Sequence, residues 1–146
     1  MIGYFDTSAF VPLLIAEPGS EFCRRFWNDA DSVVTTRLLY VEAAAALAQG
    51  LRMGRLAEQG HRNALVLLDR MWQEFEIIEV DEMAAVRAAV LAHQFGLRGY
   101  DAVHCASAEQ LDDGDLVVAS GDQKLLKACA ELGMATADTN AETAES

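Results

Sequence analysis

The sequence predicts an α/β protein with three layers, α/β/α, around a central parallel sheet of four to five strands. Three observations carry that prediction. Short apolar runs alternate with longer helical segments, the order that builds a parallel sheet covered by helices on both faces. One run, Leu116 to Ala119, is apolar throughout, as a strand buried on both faces is. Several runs end at or just before a carboxylate, and open α/β sheets bind ligands at that strand-end edge. With 146 residues and 52% hydrophobic content, the chain makes one domain with a sizeable core.

The first strand, Ile2 to Phe5, runs directly into Asp6, and its early start suggests a central place in the sheet. Ser8 can cap a short helix reaching about Ile15, before Pro18-Gly19 breaks the chain. Residues 20–29 form a second helix, with Phe22, Phe26 and Trp27 at helical spacing. Ser32 to Thr36 is rich in β-branched residues and forms strand two. A long helix from about Arg37 to Met53 follows, favoured by Ala43 to Ala46 and ended near Gly54. Residues 57–74 give another helix, with Leu65, Leu68 and Trp72 in phase. Phe75 to Val80 mixes acidic and apolar residues, as an edge-side strand does. Asp81 caps a helix that ends at Gly96, and the next helix opens at Asp101 and stops by Asp112-Asp113-Gly114. After the apolar strand, Asp122 opens a helix to Leu132, Gly133 closes it, and Met134 to Ala137 makes a last short strand. From Asp138 no apolar period remains, so the domain is read as 1–137 and residues 138–146 as a flexible acidic tail.

The net charge is −12, which argues against non-specific binding of nucleic acid. The charge is uneven. Segment 37–70 carries five Arg (37, 52, 55, 62 and 70) against Glu42, Glu58 and Asp69, so an anionic ligand meets that region or a bound cation. Cys23, Cys105 and Cys129 have no paired spacing and sit in helices, which predicts buried free thiols rather than a disulfide framework or structural zinc. The N-terminus lacks a basic, apolar, cleavable signal and no run approaches a membrane span, so the chain reads as soluble and cytoplasmic, with no membrane partner.

Asp6, Glu42, Asp101 and Asp122 are candidate site residues because all four can reach the strand-end edge. Carboxylates gathered there repel one another and call for a cation. Each has an ordinary alternative: Asp6 and Asp122 as helix caps, Asp101 as a first-turn acid favoured by the helix dipole, Glu42 as a solvent-facing residue. Ser8 and Ser120 can support the carboxylates or touch phosphate. Arg37, directly after strand two, can hold a ligand phosphate, pair with an acid of the cluster, or simply face solvent. His104, one turn after Asp101, reads as packed or hydrogen-bonded rather than as a ligand. Leu38, Leu51, Leu65 and Trp72 either pack the core or line a groove for a partner helix or a second copy. The phosphate-binding glycine loops and the Gly-x-Ser-x-Gly elbow are absent.

In order and spacing, Asp6-Thr7-Ser8-Ala9 with Glu17, then Glu42 with Arg52, Gly54 and Leu56, then Tyr100-Asp101-Ala102-Val103-His104, then Ser120-Gly121-Asp122 with Leu125 resemble the PIN-domain ribonucleases of the VapC toxin type. The resemblance spans residues 1 to about 137. It implies a PIN-like nuclease fold and an endoribonuclease, dependent on Mg2+ or Mn2+, that cleaves single-stranded or structured RNA as the toxin of a type II toxin–antitoxin pair. It also implies a homodimer and a cognate VapB-type antitoxin. Asp6, Glu42, Asp101 and Asp122 take the family's four acidic positions, and Ser8 and Ser120 its supporting hydroxyls. Gly121 departs from the family, which often carries a larger, frequently aromatic residue there. With that resemblance, Asp6 and Asp101 are the expected primary metal ligands, with Glu42 a ligand or water-orienter, Asp122 an outer or second-site ligand and Arg37 a possible RNA contact. Two other readings stay open: a receiver-like phosphoacceptor module, for which Lys124 and Lys127 are the available lysines, and a catalytically degenerate PIN-fold binding module.

Overall fold

In the computed structural model, which describes residues 1–141, five parallel strands form one sheet and seven helices cover it. In chain order these are β1 Ile2–Phe5, α1 Thr7–Leu14, α2 Ser20–Asp29, β2 Ser32–Thr36, α3 Leu39–Arg52, α4 Glu58–Trp72, β3 Phe75–Ile78, α5 Glu82–Phe95, α6 Gly99–Leu111, β4 Leu116–Ser120, α7 Gln123–Glu131 and β5 Ala135–Asp138. The strand order is β3-β2-β1-β4-β5, so β1 is central and β3 is an edge, as the sequence predicts.

Side-chain alternation divides the core between the two faces. Tyr4, Val34, Leu116 and Val118 point into a cluster with Leu91, Cys105 and Leu125 of α5, α6 and α7. Phe5, Val33, Phe75 and Ala119 point the other way, toward Phe10, Phe26, Leu39, Leu47 and Leu68 of α1 to α4. Phe5, Phe10, Phe26, Trp27 and Phe75 meet edge to face at 5.3–5.9 Å between ring centroids. Leu65 and Trp72 pack against this second cluster, which is the core role among their two predicted ones. All three cysteines are buried and free.

Several boundaries move for identifiable reasons. Asp6 rather than Ser8 caps α1, because an extended Asp6 lets its carboxylate reach the Ala9 amide. Helix α3 starts at Leu39, since the Arg37 amide is spent on the O of Ile78, the last residue of β3. Helix α6 starts two residues before Asp101, at Gly99. The predicted tail beginning at Asp138 is corrected. Asp138 ends β5 in register with Ser120, Thr139 is buried, and Asn140 Nδ2 donates to Gly121 O at 3.0 Å. The rest of the predicted tail, 142–146, lies outside the described residues.

The chain builds β1, β2 and β3 toward one edge and then returns to place β4 on the other side of β1. Connections therefore diverge between the ends of β1 and β4, the kind of switch point where open α/β sheets form a crevice. Among the described residues no helix is long and apolar enough to cross a membrane.

Candidate active site

Asp6 leaves β1 beside the end of β4, where Phe5 pairs with Ala119. Its Oδ1 accepts from the Ala9 amide at 2.9 Å. Ser8 Oγ donates across both oxygens, at 2.8 Å from Oδ1 and 3.0 Å from Oδ2, and Ser120 Oγ donates to Oδ2 at 2.6 Å. Backbone amides of the β4–α7 turn fix the direction of both hydroxyls. Gly121 N donates to Ser8 Oγ at 2.7 Å, and Asp122 N donates to Ser120 Oγ at 2.9 Å. A hydroxyl that accepts from an amide in this way has its own proton left for Asp6. Asp6 is 2% exposed, and burial raises its carboxyl pKa despite the nearby His104 and the two serines.

Glu42 lies in the first turn of α3, its Oε1 2.8 Å from His104 Nε2. On the other side of the imidazole, Nδ1 is 2.9 Å from the Tyr4 hydroxyl. The Tyr4 phenol is fully buried, and burial pushes its pKa well up, so it keeps its proton and can donate. For a neutral imidazole this assigns the tautomer: Nδ1 accepts from Tyr4 and Nε2–H donates to Glu42. His104 is thus the hydrogen-bonded residue the sequence suggests, and it anchors Glu42 to the central strand.

Asp101 sits in the first turn of α6, its pKa raised first by burial and then by the charge of Asp122. Asp122 caps α7, its Oδ1 accepting from the amides of Lys124 at 2.9 Å and Leu125 at 3.1 Å. Arg98, the residue before α6, reaches over both acids. Its Nε is 3.5 Å from Asp101 Oδ2 and its Nη2 is 3.9 Å from Asp122 Oδ2.

All four acids line one cleft of about 380 Å3, together with Thr7, Ser8, Val11, Glu17, Ala46, Arg98 and His104. Asp6 and Asp122 act as caps and as cleft residues at once, so the two readings of each are not exclusive. Ser120 is fully buried and works from behind Asp6. Arg37 is not among the cleft residues. It pairs with Glu79 in the exposed β2–β3 region, so its partner is an acid outside the cluster. Neither Lys124 nor Lys127 lines the cleft, and the Lys124 Nζ is 3.5 Å from Gly96 O, which leaves a phosphoacceptor site without its lysine. Sequence reasoning missed Arg98. Its signal was the spacing Arg98-x-x-Asp101, one helical turn, across a helix start.

The donor set in the cleft is carboxylate and hydroxyl oxygen, which suits hard cations such as Mg2+ or Mn2+. Among the described residues Arg98 is the one Lys or Arg lining it against Asp6, Glu17, Glu42, Asp101 and Asp122, so the charge balance favours a further cation. Among the described residues no three His, Cys, Asp or Glu side chains converge tightly enough to clasp an ion. The residues therefore fit a largely hydrated ion held through one or two carboxylates, the mode in which Mg2+ commonly binds. Thr7 Oγ1, buried in the wall without a protein partner, is a further oxygen in the same lining.

Fold and cleft together define a class: a parallel α/β domain with an acidic, cation-ready crevice at its strand-end edge. The chain belongs to the PIN domain family, whose pattern matches residues 3–131. It is similar to Ribonuclease VapC45 of Mycobacterium tuberculosis (strain CDC 1551 / Oshkosh), with 40% identity over 126 residues, 84% of this chain and 85% of the relative. Among solved structures it is similar in fold to PAE2754 from Pyrobaculum aerophilum, with TM-score 0.69, 22% identity, and 93% of this chain and 83% of that one covered. It is also similar to the DNA-bound VapBC from Salmonella typhimurium, with TM-score 0.67, 14% identity, and 95% and 98% covered.

Proposed function

We propose that this chain is an endoribonuclease that uses Mg2+ or Mn2+ to hydrolyse RNA phosphodiesters, and the toxin of a type II toxin–antitoxin pair. It acts in the cytoplasm as a homodimer and is held in check by a VapB-type antitoxin. The observation that carries the reading is the cleft: four carboxylates from β1, α3, α6 and the β4–α7 turn meet at one crevice. The ribonuclease named among its relatives supports the substrate, and the VapBC assembly among its structural neighbours supports the protein partner.

When bound, a divalent cation offsets charge on phosphate oxygens and makes a water easier to deprotonate. Asp6 and Asp101 are the residues to hold it. Ser8 and Ser120 keep the Asp6 carboxylate in one orientation, which lowers the reorganisation needed when substrate arrives. His104 occupies Glu42 Oε1 and leaves Oε2 to orient a water or accept its proton. Asp122 serves as the outer carboxylate, fixed by its capping bonds to α7.

The test is the purified chain on pooled cellular RNA with Mg2+, Mn2+ or chelator, followed by mapping of product ends. Cleavage at defined positions is expected with either cation and none with chelator. Asp6→Asn and Asp101→Asn should each lower the rate by roughly a hundredfold or more. Absence of cutting with both cations overturns the ribonuclease reading.

A further inference from the structure

Beside the acidic cleft lies a second hollow of about 650 Å3, lined by Leu38, Glu42, Arg98, Tyr100, Asp101 and Val103, with Gly99 at its rim. The two share Glu42, Arg98 and Asp101, so they form one continuous depression with an acidic half and an apolar half. In the apolar half the aromatic side chain is Tyr100, which is 55% exposed although most of the α6 residues that follow it are buried. Among the described residues no aromatic ring stacks on Tyr100, which lines the hollow with more than half of its surface exposed. Arg98 is 87% exposed and, among the described residues, is held by two long ion pairs, so its guanidinium can turn toward either half.

We propose that this apolar half is a nucleobase subsite: the base next to the scissile phosphate stacks on Tyr100 against Leu38 and Val103, with Arg98 on the phosphate between the two halves. The inference rests on the ribonuclease reading and names how that cleft selects its cut. Bases unstacked from single strands are recognised by aromatic side chains and by guanidinium planes, and stacking tolerates or ranks bases by their surface. Charge complementarity selects this hollow over a second one on the other side of Tyr100, about 380 Å3 and lined by Thr7, Val41, Glu42, Ala45, Ala46 and Tyr100, which has no cationic residue. A nucleotide needs both an apolar wall and a cation for its phosphate, and only the Arg98 side offers both.

The experiment uses the full chain with Mn2+ and a set of short single-stranded oligoribonucleotides, each also made with one base at a time removed beside the cut. Wild type should show KM raised about tenfold when the base at one flanking position is missing. Tyr100→Ala should show a similarly raised KM on the complete oligonucleotide and little further penalty for the missing base, so the two losses overlap instead of adding. Tyr100→Phe, which keeps the ring, should restore sensitivity to that base. Sedimentation of each variant accompanies the kinetics. Tyr100→Ala that remains as sensitive as wild type to the missing base overturns the subsite, as does a loss of activity that follows a change in oligomeric mass, which assigns the hollow to a second copy. A wild-type chain that cuts neither the oligonucleotides nor pooled cellular RNA overturns the ribonuclease reading itself, whereas one that cuts the pooled RNA but none of the short single strands overturns the subsite alone.

Discussion

The buried imidazole of His104 joins three layers of the molecule through two hydrogen bonds, to Tyr4 on β1 and to Glu42 on α3. A buried donor left without its acceptor costs more than the bond itself contributed, because the orphan has lost its water as well. His104→Phe strands the Tyr4 hydroxyl and releases Glu42 together, so it is expected to cost about 2–3 kcal/mol in urea unfolding. Tyr4→Phe removes only one of the two bonds and should cost less. The nitrogen chemical shifts of the wild-type imidazole give an independent reading. They should report a proton on Nε2, and a proton found on Nδ1 alone would reverse the assigned donor to Glu42. The sequence placed His104 in a helix and read it as packed or hydrogen-bonded, but it could not name Tyr4 as partner, because the two are a hundred residues apart. Arg98 was hidden for a related reason: its meaning depends on Asp122, brought beside it by the packing of α6 against α7.

At the level of elements, the β4–α7 turn and β5 explain why Gly121 departs from the larger residues that the family often carries. A Cβ at 121 would lie 2.9 Å from Thr139 Oγ1 and 3.4 Å from Ser8 Oγ. Thr139 is buried there, its amide donates to Ser120 O at 3.0 Å, and Asn140 closes over the Gly121 carbonyl. Strand β5 and the residues just after it therefore clamp the turn that aims Ser120 and Asp122. The residue types of 138–140 carry no apolar period, so sequence patterning alone assigned them to the tail. Their order comes from contacts with Ser120, Gly121 and Gln123, which are distant in sequence. Gly121→Ala should cost about 1–3 kcal/mol, as overpacking in a tight site does. Adding Thr139→Ala should recover part of that loss, and thermal melts of the two single variants and the double variant measure the coupling. Additive losses would mean that the turn moves without touching β5. Strands β1 and β4 were legible because each is a short apolar run ended by a polar residue, and the register Phe5↔Ala119 then brings Asp6 and Ser120 together without further instruction.

For the whole molecule, the net charge of −12 and the crowding of acids in one cleft act in the same direction: the metal-free fold bears uncompensated negative charge. Asp6 and Asp101 both have pKa values raised above the ordinary 3.8, by burial first and, for Asp101, by Asp122 next. Between 3.8 and those raised values the folded chain holds protons that the unfolded chain has lost. Stability contributed by this pair is therefore present at low pH and is lost as pH rises through the folded values. Acids paired with cations, such as Glu79 and Glu109, have lowered values and slope the other way, so the bare pH profile is a sum. Comparison with Asp101→Asn cancels that background. In chelator, the variant should lose less stability than wild type as pH rises toward 7, and should melt higher than wild type at pH 7. Millimolar Mg2+ or Mn2+ should then raise the wild-type melting temperature more than the variant's, because a ligand that binds only the folded state stabilises it by mass action. Scanning fluorimetry at constant ionic strength reads both effects. Parallel pH profiles for the two proteins, with no cation response in either, would mean that the carboxylates of this cleft neither repel one another nor bind a metal.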